Sequence, residues 1–185
     1  PPMPGVADGA FAVPSDDGGE LYRFDREGRH LSTVDALTGQ VVETFTYDTA
    51  GRLTSATDGD GNTTTVERDE QGAPTAIVGP YGERTGLRTD ADGHLDRIVD
   101  PGGPTTSLSA TASGLLTTLR DPRDKLHLFD YDAGGRLIRD RDPEGGSTAL
   151  DRTSASGSQR TVKLTSALGR ITEQRSDREQ DGSET

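Results

Sequence analysis

Cysteine is absent from the 185 residues, so there is no disulfide framework, no thiolate zinc site and no cysteine nucleophile. Lysine occurs only at 125 and 163. Basic residues fall short of acidic ones, 20 against 32, which leaves a formal net charge of −12. That balance disfavours nucleic acid and anionic membrane as partners, since both attract a cationic surface. No run of about 18 apolar residues exists, so no membrane span is expected. Large apolar residues are scarce as well: Leu, Ile, Val and Phe make up 33 of 185. So low a share beside a high net charge is the profile of a disordered chain. Pro1-Pro2-Met3-Pro4-Gly5 reads as an extended linker with no basic-then-apolar signal after it, and the chain reads as cut from a longer protein.

What the chain has instead is a repeat. Tyr47-Asp48-Thr49-Ala50-Gly51-Arg52-Leu53 returns as Tyr131-Asp132-Ala133-Gly134-Gly135-Arg136-Leu137. Phe24-Asp25-Arg26-Glu27-Gly28-Arg29-His30 is a third copy, and Asp69-Glu70-Gln71-Gly72 and Asp90-Ala91-Asp92-Gly93 are weaker ones. The glycines stand at 28, 51, 72, 93, 114 and 135, so after a first spacing of 23 the period is 21 four times running. Seven residues after each comes a second mark, at Asp35, Asp58, Gly79, Asp100, Asp121 and Asp142. In most units a glycine follows three residues later: Gly61, Gly82, Gly103 and Gly145.

Asp-x-x-Gly is turn chemistry. The Asp side chain can accept a hydrogen bond from its own backbone two residues on, and Gly takes the left-handed conformation cheaply. A type I turn followed by a left-handed Gly is a common hairpin connection. The segments between, such as Leu53 to Thr57, Thr63 to Arg68 and Leu115 to Arg120, are rich in Thr, Val, Leu and Ile and too short for helices. Three residues before the first turn of each unit stand Tyr22, Phe45, Val66, Leu87, Leu108, Phe129 and Leu150, all apolar or aromatic. Leu53, Leu95, Leu116 and Leu137 fall two residues after the glycine, and Ala56, Ile77, Ile98 and Leu119 five after it. By simple alternation these columns give one apolar stripe and a weaker one behind it.

The predicted fold is all-β, a long antiparallel meander of about fourteen short strands built from repeats of about 21 residues. Accumulated strand twist is expected to curl it into a spiral or shell-like sheet. A single-layer repeat needs only one or two apolar stripes per strand, which accounts for the composition. Residues 1–19 read as a linker or lead-in to the shell, 20–172 as the repeat array, and 173–185 as a truncated unit or disordered tail.

At Tyr47-Asp48-x-x-Gly51-Arg52-Leu53 and its copies the chain resembles the YD-repeat (Rhs-repeat) family, which includes bacterial Rhs proteins, shell components of insecticidal toxin complexes, and teneurins. The resemblance covers roughly residues 20 to 172. The leader, Ala10-Phe11-Ala12-Val13-Pro14-Ser15 before Gly19-Glu20-Leu21-Tyr22, is similar to the start of a YD shell in teneurin-like proteins. The resemblance implies a large hollow β-shell that encloses a C-terminal cargo, often a toxin, or an extracellular adhesion scaffold, secreted or at the cell surface. It implies flanking repeats and the C-terminal domain of the same parent chain as partners, with a toxin cargo or a cell-surface receptor beyond them, and no cofactor. Bacterial members can carry a self-cleaving aspartyl site near an Asp-Pro-x-Gly core motif. Asp142-Pro143-Glu144-Gly145 and Asp100-Pro101-Gly102-Gly103 match that tetrapeptide, but both sit in the repeat's second turn, and the protease is not carried over.

A structural role is expected of the repeat residues Asp25, Gly28, Tyr47, Asp48, Gly51, Asp58, Gly61, Asp69, Gly72, Asp90, Gly93, Gly114, Asp132 and Gly135. Asp58, Asp60, Asn62 and Asp69 have the spacing of a calcium loop, but Thr63 stands where such a loop needs glycine, and a turn is the simpler reading. His30, His94 and His127 lack close metal spacing and are expected at ordinary repeat positions. Asn62-Thr63-Thr64 is the one glycosylation sequon. Carboxylate pairs occur throughout, so they single out no glycosidase, and no phosphate-cradling loop exists. No enzyme activity is expected. Three readings remain: a structural segment of a β-shell, an extracellular adhesion or carbohydrate-binding repeat module, and a disordered acidic segment.

Overall fold

The computed structural model describes residues 10–156 and 159–177, apart from the side chains of 153–160 and 177. Among the described residues there is no helix and there are sixteen strands. They are β1 (Phe11–Pro14), β2 (Glu20–Phe24), β3 (His30–Asp35), β4 (Val41–Tyr47), β5 (Leu53–Asp58), β6 (Thr63–Arg68), β7 (Pro74–Val78) and β8 (Arg84–Thr89). There follow β9 (Leu95–Val99), β10 (Thr105–Ala110), β11 (Leu116–Arg120), β12 (Leu126–Tyr131), β13 (Leu137–Arg141), β14 (Ser147–Ser156), β15 (Gln159–Ser166) and β16 (Ile171–Asp177). Strand order in the sheet is chain order, so each strand pairs only with its neighbours in sequence. The all-β antiparallel meander is thus present, and ordered strands replace the disorder that composition alone suggested. The count exceeds about fourteen because β1 forms in the lead-in segment and β16 runs past residue 172. The chain divides into two compact units, Pro1–Leu87 with Asp100–Gly102, and Arg88–Val99 with Gly103–Thr185.

The turns fall into two alternating classes. First turns start at Asp25, Asp48, Asp69, Asp90, Thr111 and Asp132; second turns start at Asp35, Asp58, Gly79, Asp100, Asp121, Asp142 and Ser166. Next to the first turns the ladder skips a residue, as between Thr46 and Tyr47, where Tyr47 pairs with Leu53 although Phe45 pairs with Ala56. The same shift recurs at Arg23/Phe24, Glu67/Arg68, Ser109/Ala110 and Asp130/Tyr131. It is a β-bulge, which adds one residue and changes the phase of the strand.

That phase change corrects the expected pair of stripes. Val66 pairs with Ile77 and Leu108 with Leu119, so these columns share one face. The bulge brings the column of Leu53 and His30 onto the same face: the His30 ring packs against Tyr22, Phe24 and Phe45. The other face carries hydroxyls and ion pairs, among them Thr46 with Thr54 and Ser55, Glu67 with Arg84, and Arg88 with Asp96.

The sheet has little core. Among the described residues, Val34 and Ala76 alone are fully buried apolar side chains. Each unit is a wall one sheet thick, held by ladders between adjacent strands rather than by a packed interior.

Candidate functional site

The feature that the sequence repeats most strictly is the first turn, and its chemistry is clearest at Asp48. Gly51 N–H donates to Asp48 O at 2.9 Å and Asp48 N–H to Arg52 O at 2.9 Å, which closes the turn. Asp48 Oδ1 accepts the Ala50 and Arg52 N–H groups, both at 2.9 Å. Its Oδ2 accepts Arg52 Nε at 2.8 Å. Asp25 and Arg29 repeat the arrangement, with Nε to Oδ2 at 2.6 Å. Asp132 and Arg136 keep the backbone part, with the guanidinium 3.5 Å from Oδ2. The backbone N–H of the fifth turn residue is the leading cause that holds the Asp48, Asp121 and Asp132 carboxyls below their ordinary range. At Asp25 desolvation pushes upward, and the hydrogen bonds and charge of Arg29 outweigh it.

The tyrosine before the turn has its own task. The β3–β4 ladder ends at Ser32 and Thr44, which leaves the His30 carbonyl beyond the last pair. Tyr47 Oη donates to that carbonyl at 2.8 Å. Tyr131 does the same for Leu116, at 2.8 Å, where the β11–β12 ladder ends at Thr118 and Leu128. Arg68 replaces the tyrosine in its unit and reaches Leu53 O at 3.2 Å. These side chains close the splayed end of a ladder whose carbonyl would otherwise lack a partner.

The residue after the glycine links one unit to the next. Arg29 lies 5.7 Å over the Tyr47 ring and 3.9 Å from where a Cβ on Gly51 would stand. The Arg52 guanidinium occupies the place of a Cβ on Gly72. His94 and Leu115 sit 3.1 Å and 3.6 Å from the corresponding points of Gly114 and Gly135. Gly51, Gly72, Gly114 and Gly135 therefore supply both a φ near +80° and a bare seat for the preceding repeat's side chain, whereas Gly28 and Gly93 supply the φ alone.

Second turns keep most of their hydrogen bonds within the loop, although Lys125 Nζ of one donates to Glu144 Oε1 of the next at 2.9 Å. Asp58 Oδ1 accepts the Asp60 and Asn62 N–H groups, both at 2.9 Å, and Oδ2 accepts Asn62 Nδ2 at 2.8 Å. The side-chain amide of Asn62 is the leading cause that lowers the Asp58 carboxyl. Asp69 stands beyond the far end of β6, about 20 Å of strand away, so the four residues of calcium-loop spacing do not converge. At the third position of three second turns stand Leu37, Tyr81 and Leu168, exposed by 94%, 86% and 97%.

The histidines take three different positions. His30 is the centre of a ring stack across β1 to β4: Phe11 on Phe24 at 5.1 Å, Phe24 on His30 at 5.0 Å, His30 on Phe45 at 4.5 Å. Buried Thr33 places Oγ1 3.2 Å from His30 Nε2. His127 pairs with Leu119 across the ladder. His94 stands at the fifth position of the Asp90 turn, where Asp90 Oδ1 accepts the Asp92 and His94 N–H groups, both at 2.9 Å. Asp90, Asp92 and His94 bring one donor atom each within 4.8 Å of one another, a grouping that sequence spacing did not single out. The tyrosine latch and the glycine seat were missed as well; the one available signal was that Tyr and Arg keep fixed offsets from Asp and Gly.

Among the described residues no helix is long and apolar enough to cross a membrane. The profile of the Teneurin YD-shell family matches residues 8–184. Mouse Teneurin-4 is 44% identical over 64 residues, 35% of this chain and 2% of that protein. Zebrafish Teneurin-3 is 39% identical over 77 residues, 42% of this chain and 3% of that protein. The chain thus spans only a small part of the length of the curated teneurins it matches. The crystal structure of TcdB2-TccC3-Cdc42 shares the fold over 94% of this chain and 14% of that one, with a TM-score of 0.50 at 12% identity. The match across nearly the whole chain, on a sheet whose repeated turns carry the Tyr-Asp and Gly-Arg pairs, places it plainly: the chain belongs to the teneurin YD-shell family.

Proposed function

We propose that this chain is one stretch of the wall of a hollow β-shell in a longer secreted or cell-surface protein. The wall encloses or presents a C-terminal, toxin-like domain of the same parent chain, and this stretch has no catalytic role. The observation that carries the reading is the single-sheet thickness combined with unit-to-unit interlocking at the first turns, seen at Arg29 on Gly51 and Arg52 on Gly72. Such a sheet divides two volumes without using its own surface for chemistry. Its partners are the flanking repeats and the enclosed domain. Membership of a YD-shell family and the shared fold with a TcdB2-TccC3 structure support it.

A second reading, an adhesion or carbohydrate-binding repeat module, draws on the exposed tips Leu37, Tyr81 and Leu168. Electron microscopy of the parent protein with its native flanks separates the two. A closed shell with internal density is the expected result. An open ribbon, or a shell with nothing inside, overturns encapsulation and directs attention to the tips.

A further inference from the structure

We infer that the first turn Asp90-Ala91-Asp92-Gly93-His94 is a binding site for a divalent cation of the zinc class, with Asp90 Oδ2, an Asp92 carboxylate oxygen and His94 Nδ1 as its ligands. The argument starts from what equivalent turns do with the second carboxylate oxygen. Arg29 fills it at Asp25, Arg52 at Asp48 and Asn62 at Asp58, whereas at Asp69, Asp121 and Asp142 only Oδ1 is used, by backbone N–H groups. At Asp90 the fifth residue is histidine, and its Nδ1 stops 3.7 Å short of Oδ2. That nitrogen is shielded from solvent and has no hydrogen-bond partner. A shielded, unpaired ring nitrogen needs an explanation, and a bound ion supplies one.

The spacing fits. Two ligand atoms at about 2.0–2.1 Å from a tetrahedral ion lie about 3.4 Å apart, close to the 3.7 Å observed. One carboxylate oxygen from each of Asp90 and Asp92 and one ring nitrogen of His94 lie within 4.8 Å of one another. The turn hydrogen bonds fix Asp90, and the seat on Gly114 fixes the His94 ring. One imidazole and two carboxylates with a fourth position left for water is a donor set suited to zinc or cobalt rather than to calcium, which prefers oxygen alone. The Asp58 turn, by contrast, uses up both carboxylate oxygens internally.

The test is calorimetric titration of the intact chain with zinc chloride, paired with thermal unfolding. The expected result is one saturable site and a raised unfolding midpoint. His94→Gln and Asp92→Asn should each weaken binding at least tenfold, while His127→Gln and Asp60→Asn leave it unchanged. Asp92 is exposed at the turn tip, so its variant reports on binding even if His94→Gln loosens the fold. Cobalt should give a visible absorption band that His94→Gln shifts or abolishes. No saturable zinc binding overturns the inference. So does equal affinity in the wild type and both ligand variants, which would mark adventitious binding by surface carboxylates.

Discussion

First and second turns share a backbone path but not a job. The first turn at Asp48 reaches outside itself: Tyr47 latches a neighbouring carbonyl, Arg52 lies on Gly72 of the next repeat, and Gly51 receives Arg29 of the previous one. The second turn at Asp58 spends its hydrogen bonds internally, and the tips at Leu37 and Tyr81 are left to solvent; the Lys125–Glu144 pair is the exposed exception that joins two second turns. The lesson is that a motif is kept strict by the number of neighbours that read it. The Asp position is replaced in both classes, by Thr111 in a first turn and by Gly79 and Ser166 in second turns, because only the local loop depends on it; the glycine is kept in all six first turns, whereas Asp124 replaces it in a second turn.

The largest expected effect sets the scale for both turn classes. Phe129→Asp puts a charge on the apolar face opposite Asp140, and should destabilise by about 2–4 kcal/mol. Arg52→Asp, at a turn, should do less harm. Comparable unfolding midpoints would undo the assignment of faces. Next come the glycines. Gly51→Val, Gly135→Val and the second-turn Gly61→Val each force a β-branched residue to positive φ, at about 1–3 kcal/mol. Gly72→Val and Gly114→Val should lose more, because the Arg52 guanidinium and the His94 ring stand within 3.1 Å of the added Cβ, while nothing lies within 4 Å of Gly61. Wild-type stability in Gly51→Val and Gly135→Val contradicts the turn geometry; losses at Gly72 and Gly114 equal to that at Gly61 show that the seat adds nothing. The smallest effect is the most selective. Tyr131→Phe should lose about 1 kcal/mol with the latch, whereas Tyr81→Phe, at an exposed tip, should lose nothing measurable in the same denaturation experiment.

Much of the fold was legible in the spacing of Gly and Asp. The strand from Thr63 to Arg68 falls where the turns at Asp58 and Asp69 leave room for it, and β5 exceeds its expected span by one residue. The two-sided stripe was not legible, because alternation assumes constant phase and each bulge adds a residue that the pattern does not mark. Nor was the latch: Tyr47 and His30 are 17 residues apart, and only the paired strands reveal that the His30 carbonyl is left over. The Asp90 turn reads like any other copy until the shared placement of His94 and Asp90 is known. A motif records which residues recur; it does not record which atom of each is still unoccupied.

Chain-order pairing has a consequence for how the protein comes into being. Among the described residues no strand must wait for a distant partner, so contact order is low for an all-β fold and hairpins can close one after another. Each closed hairpin offers an edge to the next, and folding can spread along the chain as it emerges from the ribosome or a secretion channel. A protein built this way can be delivered as a thread and assembled at its destination.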